Sequence, residues 1–169
     1  MTAFVPLDTI DPAAVEALLD HAFGTDRHAR TAYKVRGATL MLPPLSFAAV
    51  EDGVLIGSIQ CWPIAHVGDD GVTRPLVMVG PVAVEPGRQG DGIGRRLMAL
   101  ALDAADAAPE RCPLMLIGDP DYYGRFFGFT ADHTGAWRLP GPVERHRLLA
   151  RGDTVPDSAG MLAPATAPS

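Results

Sequence analysis

The segment Val82-Ala83-Val84-Glu85-Pro86-Gly87-Arg88-Gln89-Gly90-Asp91-Gly92-Ile93-Gly94-Arg95-Arg96-Leu97 holds the residues best suited to chemistry. An apolar strand feeds a loop with four glycines, and the loop becomes the first turn of a helix. N–H groups at such a helix start have no acceptor within the helix, and the macrodipole adds partial positive charge there. That combination seats an anion. Glycines let the backbone approach a phosphate with no Cβ in between. Arg88, Arg95 and Arg96 add positive charge. The Walker pattern is excluded, because no Lys-Ser or Lys-Thr is present. Gly90-x-Gly92-x-Gly94 also lacks the Gly-x-Gly-x-x-Gly spacing of a dinucleotide fold. Taken alone, the glycines fit a plain surface turn equally well.

Further along, Gly118-Asp119-Pro120-Asp121-Tyr122-Tyr123-Gly124-Arg125-Phe126-Phe127-Gly128-Phe129 reads as a short aromatic helix. Asp119 and Pro120 open it and Gly128 closes it. Upstream, Gly80-Pro81 is awkward within an apolar strand. Proline has no ladder donor and glycine often marks a bulge, so backbone groups nearby are free for a ligand unless the proline simply sits at an edge.

Other elements must position these groups. Asp11 and Pro12 start a helix to about Phe23, with Val15, Leu18, Leu19 and Ala22 on one face. Arg27 to Arg36 is basic and reads as a shorter helix ended by Gly37. Ser46 to Val50, Val54 to Trp62 and Leu76 to Val84 read as an antiparallel meander, with Asp52-Gly53 supplying the first hairpin turn. The helix from Ile93 to Ala108 carries Ile93, Leu97, Leu100, Ala101 and Ala104 as its buried stripe. Leu114 to Ile117 is a buried strand, so strand, helix and strand form a βαβ unit with parallel strands. One or two strands follow between Thr130 and Gly152. The reading is one domain over residues 1–152, then an Ala/Pro-rich tail over 153–169 that is loosely packed.

Gln89-Gly90-Asp91-Gly92-Ile93-Gly94 fits the Gln/Arg-x-x-Gly-x-Gly/Ala signature of the GNAT superfamily of N-acetyltransferases. The aromatic helix ending in Gly128-Phe129, with Val79-Gly80-Pro81-Val82-Ala83-Val84, resembles the small YhbS-like branch. The resemblance covers Ser46 to Phe129 by motif and the flanks by order of elements. It implies an α/β fold: a mixed, mostly antiparallel twisted sheet with helices on both faces and one βαβ cofactor-binding unit. It implies acetyl-CoA as co-substrate, with the pyrophosphate on the amides of Gln89, Gly90, Asp91, Gly92, Ile93, Gly94 and Arg95, and Arg88 beside them. The pantetheine arm would pair with the backbone of Val82, Ala83 and Val84. Relatives often use a tyrosine to protonate the leaving thiolate. The position four residues before the glycine of Gly-Phe is Gly124 here, a departure from the pattern. Counting from Gly118-Asp119-Pro120 selects Tyr123, with Tyr122 second. No general base stands out, and Glu85 is the nearest acid. The implied reaction is acetyl transfer to an amine by direct attack. A non-catalytic acyl-CoA-binding module and a nucleotide-binding domain are the alternatives.

The remaining residues add little chemistry. His21, His28, His66, His133 and His146 are scattered without ligand spacing, so no metal is expected. Cys61 and Cys112 read as small packed residues in a reduced, cytoplasmic setting. Trp62, Trp137 and the arginines from Arg27 to Arg36 are candidates for an acceptor groove or for plain packing. The chain has 169 residues, 47% apolar and 20% charged, with 14 Lys/Arg against 20 Asp/Glu. That fits a folded globule of one domain. A net charge of −6 argues against nucleic acid or an anionic membrane as partner. No apolar run has the length of a membrane span and no signal peptide is read at Met1 to Pro6. The expected partners are acetyl-CoA and an amine, in a monomer or homodimer.

Overall fold

The computed structural model describes residues 1–109 and 111–165. Eight strands and four helices are found among them, in a mixed, mostly antiparallel open sheet. The strands are β1 (Thr2–Pro6), β2 (Phe47–Glu51), β3 (Val54–Gly68), β4 (Thr73–Val84), β5 (Leu114–Ile117), β6 (Trp137–Arg138), β7 (Leu148–Arg151) and β8 (Gly160–Pro164). The helices are α1 (Pro12–Phe23), α2 (Thr31–Arg36), α3 (Ile93–Ala107) and α4 (Pro120–Phe127). The sheet order is β1-β2-β3-β4-β5-β7, with β8 pairing β3 and β6. The chain forms two compact units, and β3 and β4 each run from one into the other.

The first unit comprises Met1–Arg27, Met41–Cys61 and Val79–Arg111. Asp52 (φ 53°) and Gly53 (φ 76°) make the tight turn of the β2–β3 hairpin, as Asp-Gly requires. Side chains alternate across the sheet. Ala48 pairs with Ser58 and Ala49 with Gly57, so Ala48 and Gly57 face opposite ways. On the Ala48 side lies α1, whose Val15, Leu18 and Leu19 join Leu7, Ala48 and Ala83 in one core cluster. Asp11 caps α1 by accepting the Ala13 N–H at 3.0 Å. Behind it, buried Arg27 is gripped by Glu16 and Asp20, one turn apart on α1.

On the Gly57 side lies α3. A Cβ on Gly57 would sit 2.9 Å from Ile93 Cγ2, 3.2 Å from Leu97 Cδ1 and 3.3 Å from the Ala83 carbonyl oxygen. The missing side chain is what admits the helix. The buried residues of α3 are Ile93, Leu97, Met98, Ala101 and Leu102. Leu100 and Ala104, expected in the stripe, are only half-buried. The helix is rolled toward its 98/102 side because its first turn is anchored at Ile93 and Leu97 against Gly57.

The second unit comprises His28–Leu40, Trp62–Met78 and the chain from Cys112 onward. Here β4 and β5 run parallel, with Val77 opposite Leu114, as the βαβ reading requires. β7 adds to β5 in antiparallel register, Leu114 to Arg151. Two expectations need correction. β3 does not stop at Trp62 but continues to Gly68, because its second half has a partner in β8. The stretch after Gly152 is accordingly not loose throughout: Gly160–Pro164 forms β8, and Leu162 is 1% exposed. Residues 166–169 of that expected tail lie outside the described residues. β1 also had no signal in the sequence reading. Trp137 is fully buried, its Nε1 donating to the Pro156 carbonyl at 2.8 Å, so it lines no groove.

Gly57→Ala is expected to lower unfolding stability by about 1–3 kcal/mol through overpacking beneath α3. Gly87→Ala, whose Cβ meets nothing within 4 Å, serves as the control and should stay within about 0.5 kcal/mol of wild type. Denaturant titration of the two variants checks this.

Candidate functional site

The glycine corner lies in the first unit. The Glu85 N–H donates to the Ile56 carbonyl at 2.9 Å, so β4 is held to the very start of the loop. The Arg88 N–H donates to the Glu85 carbonyl at 2.8 Å, folding Pro86–Arg88 into a 3-10 turn. Gly90 (φ 93°) and Gly92 (φ 81°, ψ 7°) then take left-handed conformations that side-chain-bearing residues resist. Gly92 is the N-cap of α3, with no side-chain cap bond. The helical ladder begins with the Arg96 N–H on the Gly92 carbonyl at 3.1 Å. Amides of the first turn point away from the helix body by the geometry of any helix. A Cβ built on Gly87, Gly90 or Gly92 meets nothing within 4 Å, so this face of the corner is open.

Two carboxylates brace the corner. Arg88 Nε lies 2.9 Å from Asp91 Oδ2, and Arg88 Nη1 pairs with Glu51 on β2. The hydrogen bond from Arg88 holds the Glu51 carboxyl below its ordinary range, and Asp91 with Glu51 raises Arg88. Arg88 thus ties the loop to the hairpin through Glu51, and Asp91 braces Arg88 within the loop. Glu85, the acid nearest the loop in sequence, has a partner in His21 Nδ1 at 3.2 Å. Ile93 is buried and anchors α3, while Gln89, Gly90, Asp91, Gly92 and Arg95 are exposed.

β4 meets the corner with alternating faces. A Cβ on Gly94 would lie 3.7 Å from Val82 Cγ1 and from Val84 Cγ2, so those valines face α3. Ala83 is buried on the α1 side. The structure therefore brings Val82, Ala83 and Val84 together with the Gln89-to-Arg95 turn. Gly80, with φ 121°, breaks the regular strand just before them. Cys61, on β3, is 1% exposed, and burial pushes its thiol up to about 12 against a minor opposing hydrogen bond with the Gly80 backbone.

The aromatic helix α4 belongs to the second unit. Asp119 caps it by accepting the Asp121 N–H at 2.9 Å, and Gly128 ends it in the left-handed conformation. Tyr123 lies over Gly118, where a Cβ would come within 2.8 Å of Tyr123 Cδ2. Its ring meets Tyr122 edge-on at 4.9 Å and Phe129 at 6.5 Å. Burial, then Tyr122 and Asp119, raise the Tyr123 phenol above its ordinary value, with Arg147 opposing. The hydroxyl is therefore protonated at neutral pH. Tyr122 packs among Phe126 and Phe127.

Sequence reasoning missed Gly57 and Glu51. A lone glycine inside an apolar strand is a signal for close backbone approach, and it was present at Gly57. Glu51 had no such signal, being 37 residues from Arg88. Among the described residues no group of three His, Cys, Asp or Glu is placed to hold a metal ion.

Comparisons with known proteins place this geometry in context. Residues 13–129 match the acetyltransferase (GNAT) family model. A GNAT family N-acetyltransferase (YhbS) from Escherichia coli, solved with CoA, is 23% identical, with a TM-score of 0.68 over 98% of this chain and 89% of that one. A GNAT family acetyltransferase from Brucella melitensis, solved with acetyl-CoA, is 25% identical, with a TM-score of 0.67 over 96% of this chain and 95% of that one. Naa50 from Arabidopsis thaliana, solved with a CoA-peptide bisubstrate analogue, is 15% identical, with a TM-score of 0.53 over 90% and 99%. A comparison with curated proteins gives no match.

Cys61 is expected to resist a thiol reagent in the native protein at pH 8 and to react only on unfolding, because its thiolate forms near pH 12. Mass mapping of labelled peptides before and after denaturation reads the difference.

Proposed function

The chain belongs to the GNAT acetyltransferase family, and from that premise we propose that it transfers acetyl from acetyl-CoA to an amine by direct attack. The observation that carries the reading is the open corner at the end of β4, where left-handed Gly90 and Gly92 leave the start of α3 uncovered. That arrangement fits a diphosphate. Gln89, Gly90, Gly92, Ile93, Gly94 and Arg95 would offer backbone amides to its oxygens; the Asp91 N–H, first expected among them, donates to the Arg88 carbonyl at 3.4 Å, and Arg88 with Asp91 keeps the loop in shape. The backbone of Val82, Ala83 and Val84 would hold the pantetheine arm. Acetyl-CoA supplies a thioester whose C–S bond breaks as the C–N bond to the amine forms.

A backbone N–H near Val82 to Val84 would donate to the carbonyl oxygen as charge develops there. Tyr123, held protonated, would give its proton or a hydrogen bond to the leaving sulfur. The amine attacks neutral, and its surplus proton passes to water. Burial of Cys61 supports direct attack over an acetyl-cysteine intermediate, since a buried, protonated thiol is a poor nucleophile. The same reading makes the protein a cytoplasmic enzyme whose partners are acetyl-CoA and the acceptor.

Thiol release from acetyl-CoA with a panel of primary amines tests the activity. Binding of acetyl-CoA with no release from any amine would instead identify a non-catalytic binding module. Tyr123→Phe should lower kcat about tenfold with KM for acetyl-CoA little changed, the low end of general-acid effects. Tyr122→Phe should remain near wild type; the reverse pattern would move the role to Tyr122. Gly92→Val should weaken acetyl-CoA binding at least about tenfold, equivalent to about 1.4 kcal/mol, as read by calorimetry on the folded variant.

A further inference from the structure

We propose that Gln60 and Ser58 hold the acceptor nitrogen as it attacks, each taking one N–H, so that a primary amine is used in preference to its N-methyl counterpart. The inference rests on the acetyltransferase reading for the reaction, and on the first unit alone for the residues. Both residues lie on β3. Ser58 stands opposite Ala48, and Ala48 with Ala83 belongs to the core cluster under α1. Side chains two apart on a strand share a face, so Gln60 faces the same way. Ser58 is 0% exposed and Gln60 is 7% exposed. Among the described residues, Ser58 Oγ and Gln60 Oε1 find no hydrogen-bond partner. Ser46 shows the ordinary outcome for a buried hydroxyl in this unit. Its Oγ donates to the Leu42 carbonyl at 2.8 Å and accepts the Cys61 N–H at 3.1 Å. A buried oxygen stripped of water with nothing in exchange is a cost that folded chains rarely leave standing. Two such oxygens, two residues apart on one strand face, point to a bound donor.

Their place along β3 says which donor. The Glu85 N–H donates to the Ile56 carbonyl at 2.9 Å, and the Cys61 thiol shares a hydrogen bond with the Gly80 backbone. Ser58 and Gln60 fall between those two contacts, so they run beside the Gly80-to-Val84 stretch of β4. The proposed diphosphate seat starts at Gln89, and the arm follows β4 back from Val84 to Val82. The reacting end of the cofactor then lies toward Gly80, at the Gln60 end of the pair. An amide oxygen accepts hydrogen bonds, and a hydroxyl can accept as well as donate. A strand rises about 3.3 Å per residue, so the two side chains start roughly 6.6 Å apart. One nitrogen with two N–H donors, each reaching about 2.9 Å to its oxygen, spans that gap. A neutral primary amine has this form and keeps its lone pair for the thioester carbon. Neither oxygen is charged, and no acid lies between Leu76 and Val84. The pair therefore suits the neutral, attacking form over an ammonium ion, whose burial here would go unpaired. As the C–N bond forms and the C–S bond breaks, one N–H proton leaves to water and a proton returns to the sulfur. The other N–H stays in the amide product. A water molecule also carries two donors, and the experiment separates the two.

The test compares ethanolamine with N-methylethanolamine and benzylamine with N-methylbenzylamine, reading thiol release from acetyl-CoA. Wild-type protein should favour the primary member of each pair about tenfold or more in kcat/KM. Gln60→Met and Ser58→Ala should each lower kcat for the primary amine about tenfold. They should leave KM for acetyl-CoA unchanged and bring the two members of each pair together. Both variants should resist denaturant at least as well as wild type, because each loses an unpaired buried oxygen. Gln60→Glu should recover part of the rate lost in Gln60→Met, since a carboxylate oxygen accepts the same N–H. Loss of stability in Gln60→Met and Ser58→Ala with wild-type turnover would overturn the proposal, the signature of a packing role, and leave the transferase reading standing. Equal slowing of primary and N-methyl amines would assign the two oxygens to a water molecule and overturn the amine claim. Thiol release from no amine, in a protein that binds acetyl-CoA by calorimetry, would remove the transferase reading and the proposal with it.

Discussion

The missing side chain at Gly57 is the constraint on which the first unit turns. A strand and a helix normally stand apart by the width of their side chains. Here the backbone of β3 comes close enough that Ile93 and Leu97 lie 2.9 and 3.2 Å from where a Cβ would be. That contact fixes the depth of the first turn of α3, and hence the direction in which the glycine corner presents its amides. Everything upstream of the corner follows the same alternation. Gly57, Val82 and Val84 look toward α3, while Ala48 and Ala83 look toward α1. Small residues therefore occupy both sides of the sheet where helices press hardest.

The corner uses its charges in an unexpected way. Arg88 reads as a phosphate ligand in sequence, yet two carboxylates claim its guanidinium. Its work is mechanical: it fastens the loop to the β2 end of the first hairpin. Any attraction for an anion at this place would then come from the helix end and backbone dipoles, which need no flexible side chain to be ordered. A net charge of −6 does not by itself exclude a diphosphate from such a corner, because the field that matters is local.

What was legible in the sequence was whatever a single local pattern enforces. The Asp52-Gly53 turn, the Asp11 and Asp119 caps and the left-handed Gly128 all rest on backbone needs that few residue types meet. The order of strand, glycine loop, helix and parallel strand was legible for the same reason. The candidate binding segment could be placed on β4 and the start of α3, and the two tyrosines on α4. Long-range partners were not legible. Glu51 and His21 gain their roles only when β2 and α1 are folded beside the corner. The roll of α3 toward Met98 and Leu102 depends on Gly57, which no helical period encodes. Strand β8 was hidden because a five-residue, proline-ended run among alanines gives almost no periodic signal.

The pairing of β3 with β8 also bears on the order in which the chain acquires its shape. His66 on β3 and Ser158, just ahead of β8, are 92 residues apart and share a hydrogen bond of 3.0 Å. During synthesis, the outer half of β3 is made long before the strand that completes it. Closing so large a loop carries an entropic penalty that local hairpins escape, and such contacts slow folding. The β2–β3 hairpin and the β3–β4 meander can form as they emerge, while residues 64–68 wait with an unfilled edge. An unfilled edge is a template for mispairing with other chains. The His66 imidazole, fully buried in the folded chain, stands on the half of β3 that has to wait for Gly160–Pro164 to be made.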